Sequence, residues 1–255
     1  MDTRPVLPSG HRMSLWLLAV PVAVAASAFG CTRLSSGAVP LSAEQVLGPV
    51  PVPAGNPQTS EKVELGKVLF FDKRLSGGNI TACASCHQPD KGWSDGLPLC
   101  AGCERNSISL FNAAYEDFPA WDGFADSLEE HNAAAITFDQ NVDELVKELS
   151  AVPEYQDRFG EVFGGEISLT NVIRALGAFE RSVLTFNSAF DRFRAGDRSA
   201  LTKEEQEGLA LFSGKAACSS CHTPPLFTDN GFHALGVPQA EPLTQDLGRF
   251  AVTGD

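Results

Sequence analysis

The chain has 255 residues, 43% of them hydrophobic, and a formal charge of −13 at pH 7. That length and apolar content supply a buried core for one large or two modest globular domains. The negative balance excludes a phosphate-binding surface, which needs clustered Lys and Arg, so nucleic acid is not an expected partner, whereas basic proteins are compatible.

At the N-terminus, His11 and Arg12 precede "MSLWLLAVPVAVAASAFG", an uncharged apolar run of signal-peptide length that ends at Cys31. Residues 1–31 are therefore expected to direct export to the periplasm. A retained membrane helix needs about 20 apolar residues, and Pro21 interrupts this run. "SAFGC" partly matches a lipoprotein processing site, so two outcomes stand side by side: lipidation of Cys31, which would attach the chain to a membrane, or ordinary cleavage nearby. Residues 32–58, rich in Pro, Gly and Ser, read as a tether and lead-in loop.

A first helix is expected from about Ser60. Glu61 and Glu64 suit its positive end, and Val63, Val68, Leu69 and Phe71 form an apolar side. It leads to Cys83-Ala84-Ser85-Cys86-His87. Further on, Cys100 and Cys103 in "LCAGCERN" repeat the cysteine spacing but carry Glu104 where a histidine would follow. A disulfide that pins a loop is favoured there over a metal or redox role. From about Ser168 to Phe193 the residues Val172, Leu176, Phe179, Val183, Phe186 and Phe190 line one face at helical spacing, a packing stripe rather than a cofactor box. "GDRSAL" then makes a loop. Thr202 and Glu205 form a capping box for the helix that leads to Cys218-Ser219-Ser220-Cys221-His222.

No run of alternating apolar and polar residues predicts a substantial sheet, so the fold class is mainly α. The stretches around the two C-x-x-C-H motifs share a helix with Gly and Phe, then the motif, then Pro, an aromatic residue and Asp before Gly. This pseudo-repeat predicts two domains of one design, residues 59–195 and an incomplete 196–255.

Covalent c-type haem needs two thiols that meet the two vinyl groups of one porphyrin, and an imidazole that reaches its iron. C-x-x-C-H supplies all three. Zinc also accepts Cys and His, but two tetrahedral sites need eight ligands, and outside the motifs and the signal only His131 and His233 remain. A redox dithiol wants a βαβ setting, which is missing. Two covalent haems are therefore the favoured reading, with zinc and dithiol as the alternatives.

The stretches "LGKVLFFDKRLSGGNITACASCHQPDKGWSDGLP", "RNSISLFNAAY", "WDGFADSLEEH" and "GLALFSGKAACSSCHTPPLFTDNGFHALGVP" are similar, in order, to the bacterial di-haem cytochrome c peroxidase and MauG family over about residues 60–255. The resemblance implies two helical c-type cytochrome domains, each with one covalent haem. Cys83, Cys86 and His87 would hold the peroxidatic haem, and Cys218, Cys221 and His222 the electron-transferring one. It makes Trp121 an electron relay between them; packing is the competing role for such a ring. Arg105 and Asn106 match the family's Arg-Asn, with Arg105 on the cofactor side and Asn106 as a calcium ligand, one oxygen of the six to eight that calcium takes.

In the distal pocket, His131 stands where the family has Gln, and Asp139 aligns with its Glu. Peroxide cleavage needs a group that moves a proton from one oxygen to the other, and both residue types can do so. The competing reading of His131 is a helix-surface residue, and Glu129 and Glu130 read as solvated. Residues 88–130 contain no His, so the resemblance implies a peroxidatic iron with a free sixth position. The family's Met or Tyr ligand to the second haem comes from a later segment, and the methionines of this chain are Met1 and Met13. His233 would substitute for it or lie near a propionate. The sequence is expected to be either a fragment or a shortened gene product that lacks the rest of the second domain.

The resulting expectation is a peroxidase that reduces hydrogen peroxide with electrons from a small periplasmic cytochrome or copper protein. Two alternatives are MauG-like oxidation of aromatic side chains on a protein partner, and a di-haem electron carrier without catalysis.

Overall fold

The computed structural model describes residues 40–254 apart from 101, 103, 104 and 239–245. The expected signal, Cys31, the start of the lead-in segment and Cys103 lie outside the described residues.

Among the described residues the elements are helical, and no strand is present. In order they are α1 (Ala43–Leu47), α2 (Ser60–Phe70), α3 (Cys83–Cys86), α4 (Leu128–Thr137), α5 (Val142–Ser150), α6 (Pro153–Phe163), α7 (Leu169–Glu180), α8 (Ala189–Arg194), α9 (Lys203–Ser213) and α10 (Phe250–Thr253). Their starts follow local chemistry. The side chains of Thr59, Ser127, Asn141 and Ser168 accept from the third residue of α2, α4, α5 and α7, and Pro153 sits in the first turn of α6. The Thr202–Glu205 capping box is present in both directions. Each such cap contributes about 1 kcal/mol.

The core lies where α2 crosses α7. Leu65, Leu69 and Phe70 of α2 meet Val172, Ala175, Leu176 and Phe179 of α7, with Leu145, Leu149, Tyr155 and Phe159 closing over them from α5 and α6. The two helices touch at Gly66, where a Cβ would fall 1.9 Å from the Ala175 carbonyl oxygen. Only glycine permits that approach.

Three sequence expectations are corrected. The buried face of α2 is Leu65, Leu69 and Phe70, while Phe71 is 47% exposed, because the closest approach at Gly66 sets the rotation of the helix. The stripe predicted as one helix to Phe193 breaks after Glu180. Asn112 captures the backbone there: its N–H donates to Val183 O (2.9 Å), its Oδ1 accepts from Thr185 N–H (2.8 Å), and its Nδ2 donates to Thr185 O. Ser188 then caps α8, so Phe190 packs on Phe227 rather than on the main core. Finally, residues 40–58 are not a free tether. Asn56 is buried, donating to Glu129 (2.7 Å) and Arg174 O and accepting from Lys62 Nζ (2.9 Å), while Tyr115 donates to Gly48 O.

Candidate haem-binding site

The first motif forms a single helical turn. His87 N–H donates to Cys83 O at 3.0 Å, which brings both sulfurs and the imidazole to one side of the turn. The ring is fixed by its Nδ1, 3.2 Å from the Trp93 carbonyl oxygen. A proton on Nδ1 leaves the lone pair on Nε2, the arrangement of a metal-ligating histidine with an outer partner. Burial lowers the His87 pKa against the opposing carbonyls of Trp93 and Ile108, so the neutral, ligating form is favoured.

The second motif repeats this geometry. His222 N–H donates to Cys218 O at 3.0 Å, and its Nδ1 lies 3.1 Å from Phe227 O. Phe70 at the end of α2 lies 6.4 Å from the His87 ring, and Phe212 near the end of α9 lies 6.3 Å from that of His222. Both carbonyls that accept from the histidines belong to aromatic residues with left-handed backbones, Trp93 at φ 61° and Phe227 at φ 59°. Bulky residues adopt that conformation at an energetic cost, and such strain concentrates at functional positions. Neither residue was singled out from sequence. Their signal was the aromatic shared after the two motifs.

A cavity of about 360 Å³ opens beside the first motif, with Phe70, Cys83, Cys86, His87, His131 and Glu180 among its walls. The four motif cysteines are free thiols. Burial, reinforced by Glu180, pushes the Cys83 thiol up to about 12, and burial raises Cys86 as well. Neutral sulfurs in an apolar slot suit thioethers and oppose a thiolate-bound zinc. The residues therefore fit a c-type haem at the first motif.

His131, on α4, is half-buried and lines this cavity rather than the helix surface, stacked on Phe124 at 5.5 Å. Burial, with a smaller push from His87 and against Asp122, holds its pKa at about 4, so the ring is neutral. Asp139 is exposed at the same cavity, its backbone packed so closely on Gly77 that a Cβ there would fall 2.3 Å from Asp139 O. Glu130 is exposed as expected, but Glu129 is not solvated: it pairs with the buried Arg181 at 2.5 Å.

Trp121 is 53% exposed and lies in no core, its Nε1 donating to Asn106 O at 2.9 Å. It shares a smaller cleft with His87, His131 and Arg105. Arg105 bridges Asp122 and Asp246, each at 2.6 Å, and Asn106 Nδ2 donates to Leu97 O. His233 pairs with Asp229 at 2.9 Å. With Cys221 these form the one cluster of three His, Cys, Asp or Glu ligand atoms among the described residues. Cys100 is disulfide-bonded.

A helical cytochrome c fold with a C-x-x-C-H haem site defines the class of this protein. Within that class, residues 60–199 match the family model for di-haem cytochrome c peroxidase, and the chain belongs to that family. It is 41% identical over 213 residues to the methylamine utilization protein MauG of Methylorubrum extorquens, covering 79% of this chain and 60% of that one. It is 41% identical over 249 residues to the cytochrome-c peroxidase IdrP1 of Denitromonas iodatirespirans, covering 93% and 65%. A crystal structure of a MauG-like protein associated with microbial copper homeostasis overlays with a TM-score of 0.70 at 29% identity, covering 81% of this chain and 69% of that one. The chain thus spans less than two thirds of the length of these two curated relatives.

Proposed function

We propose that the protein is an exported, periplasmic peroxidase with two covalent haems, which reduces hydrogen peroxide with electrons from a small cytochrome or copper protein. One observation carries this reading: a neutral, half-buried imidazole, His131, shares an apolar cavity with the free thiols and oriented imidazole of a C-x-x-C-H turn. When bound, haem supplies the iron at which peroxide is reduced and accepts the electrons for it.

The chain's own residues supply the rest. Cys83 and Cys86 would anchor the group, and His87 Nε2 would ligate it, oriented by Trp93. His131 takes a proton from one peroxide oxygen and returns it to the other, and Asp139 at the cavity's edge exchanges protons with solvent. The balance is one peroxide, two electrons and two protons to two waters. Cys218, Cys221 and His222 would hold a second haem, which would supply electrons, and Trp121, exposed and in the smaller cleft with His87, would be the relay. His233 is committed to Asp229, which favours neither axial ligation nor a propionate contact. Calcium is not part of the proposal; Asn106 donates its side-chain N–H to Leu97 O.

The test is peroxide-dependent oxidation of a reduced small cytochrome by the matured protein. Turnover supports the reading, and its absence from a haem-loaded protein favours the electron-carrier alternative. The similarity to MauG and the exposed Trp121 also favour a second reading, oxidation of a protein partner's aromatic side chains. Mass spectrometry of candidate partners treated with enzyme and peroxide distinguishes it.

A further inference from the structure

Glu180 ends α7 with 4% of its surface exposed and lines the same cavity as Cys83, His87 and His131. Its Oε2 accepts a 2.7 Å hydrogen bond from Asn132, the residue next to His131 on α4. That neutral amide is its one hydrogen-bond partner among the described residues. The neighbouring cations are engaged elsewhere. Arg181 turns to Glu129 of α4 at 2.5 Å, and Lys62 of α2 donates to Asn56 and Pro57. From α3 the facing group is Cys83, uncharged as a thiol or a thioether, and from α4 His131 is neutral.

A carboxylate in such a wall is stabilised by positive charge within the cavity and becomes costly when that charge is withdrawn. We propose that Glu180 is the proton partner of the haem at the first motif: when that haem is reduced by one electron, the Glu180 carboxylate takes up one proton from solvent. This rests on the reading that the first motif holds a haem. One electron from the reductant lowers the charge at the iron by one, and one proton converts carboxylate to carboxylic acid. The only bond formed is O–H, and the net charge of the site is unchanged. The acid so formed borders the cavity in which peroxide reduction consumes protons. Burial pushes the Glu180 carboxyl up to about 8 against Asn132 and Arg181, so its state changes across the neutral range.

The experiment is a potentiometric titration of the matured protein at a series of pH values from about 6 to 9, where one proton per electron corresponds to a slope of about 59 mV per pH unit. One midpoint potential is expected to fall with that slope over part of the range in the wild type. It should stay flat in Glu180→Gln and regain a slope in Glu180→Asp, which keeps a carboxyl. Reduced-minus-oxidised infrared spectra should gain a carboxylic-acid C=O band that Glu180→Gln lacks. A flat wild-type potential, or a slope retained in Glu180→Gln, overturns the proposal, and loss of the slope in His131→Gln would then assign the proton to His131. If peroxide turnover is intact in that case, the peroxidase reading stands and only the role of Glu180 falls. A matured protein without haem on Cys83 and Cys86 overturns both.

Discussion

At the scale of the residue, the proposed peroxidase reaction gives two imidazoles in one cavity opposite tasks. His87 must present a lone pair, and the Trp93 carbonyl on its Nδ1 secures that. In the proposed reaction His131 would accept and return a proton, and its burial sets the pH at which it can. Because its pKa is depressed to about 4, the neutral form persists above that value and disappears as pH falls through it. The rate of peroxide reaction should therefore hold across the mildly acidic range and decline near pH 4, which a pH–rate profile checks. An inflection at about 6.5, the value of a solvated imidazole, would contradict the burial. His131→Ala should lower that rate by about 10²- to 10⁴-fold, the usual contribution of a positioned acid–base group, with haem content unchanged.

At the scale of the element, two contacts decide how the site is held. The crossing of α2 and α7 at Gly66 puts Phe70 against His87, Trp93 and Phe179, with ring centroids 5.1 to 6.4 Å apart. Gly66→Ala should destabilise the fold by about 3 kcal/mol, the upper part of the overpacking range, because the obstacle is the α7 backbone rather than a side chain that can turn away. Denaturant unfolding of the matured protein measures this. The other contact docks residues 246–254 on the Trp121 loop, through Arg105 to Asp246 and Arg249 to the carbonyls of Asp122 and Gly123. The Arg105 hydrogen bond, helped by the Gly248 N–H, depresses Asp246 from 3.8 to about 2. A carboxylate with a lowered folded-state pKa contributes stability that is present above about 4 and lost as pH falls through about 2. Hydrogen exchange of residues 246–254 should therefore lose protection between those values, and Asp246→Asn should lack that transition.

Across the whole molecule, what the sequence made legible was what is local in the chain. The capping box at Thr202, the two C-x-x-C-H turns and the helical class follow from neighbours a few residues apart. The break after Glu180 was hidden because its cause, Asn112, lies far away in sequence, and the packing of residues 40–58 was hidden because composition says nothing of where Asn56 would bond. Glu129 looked solvated for the same reason, its partner Arg181 being on another helix. Glu180 was passed over inside a packing stripe, although a carboxylate one residue from the buried Phe179 was its signal. Matching halves, each with a phenylalanine, an oriented histidine and an aromatic residue of left-handed backbone whose carbonyl accepts from it, support the proposal that the chain holds two haems in two versions of one unit. The intact mass of the chain matured by a c-type haem assembly system tests that claim most directly. The account predicts a polypeptide carrying two covalent haems, reduced to one when Cys218 and Cys221 are both replaced by Ser. A mature chain of bare polypeptide mass would contradict it.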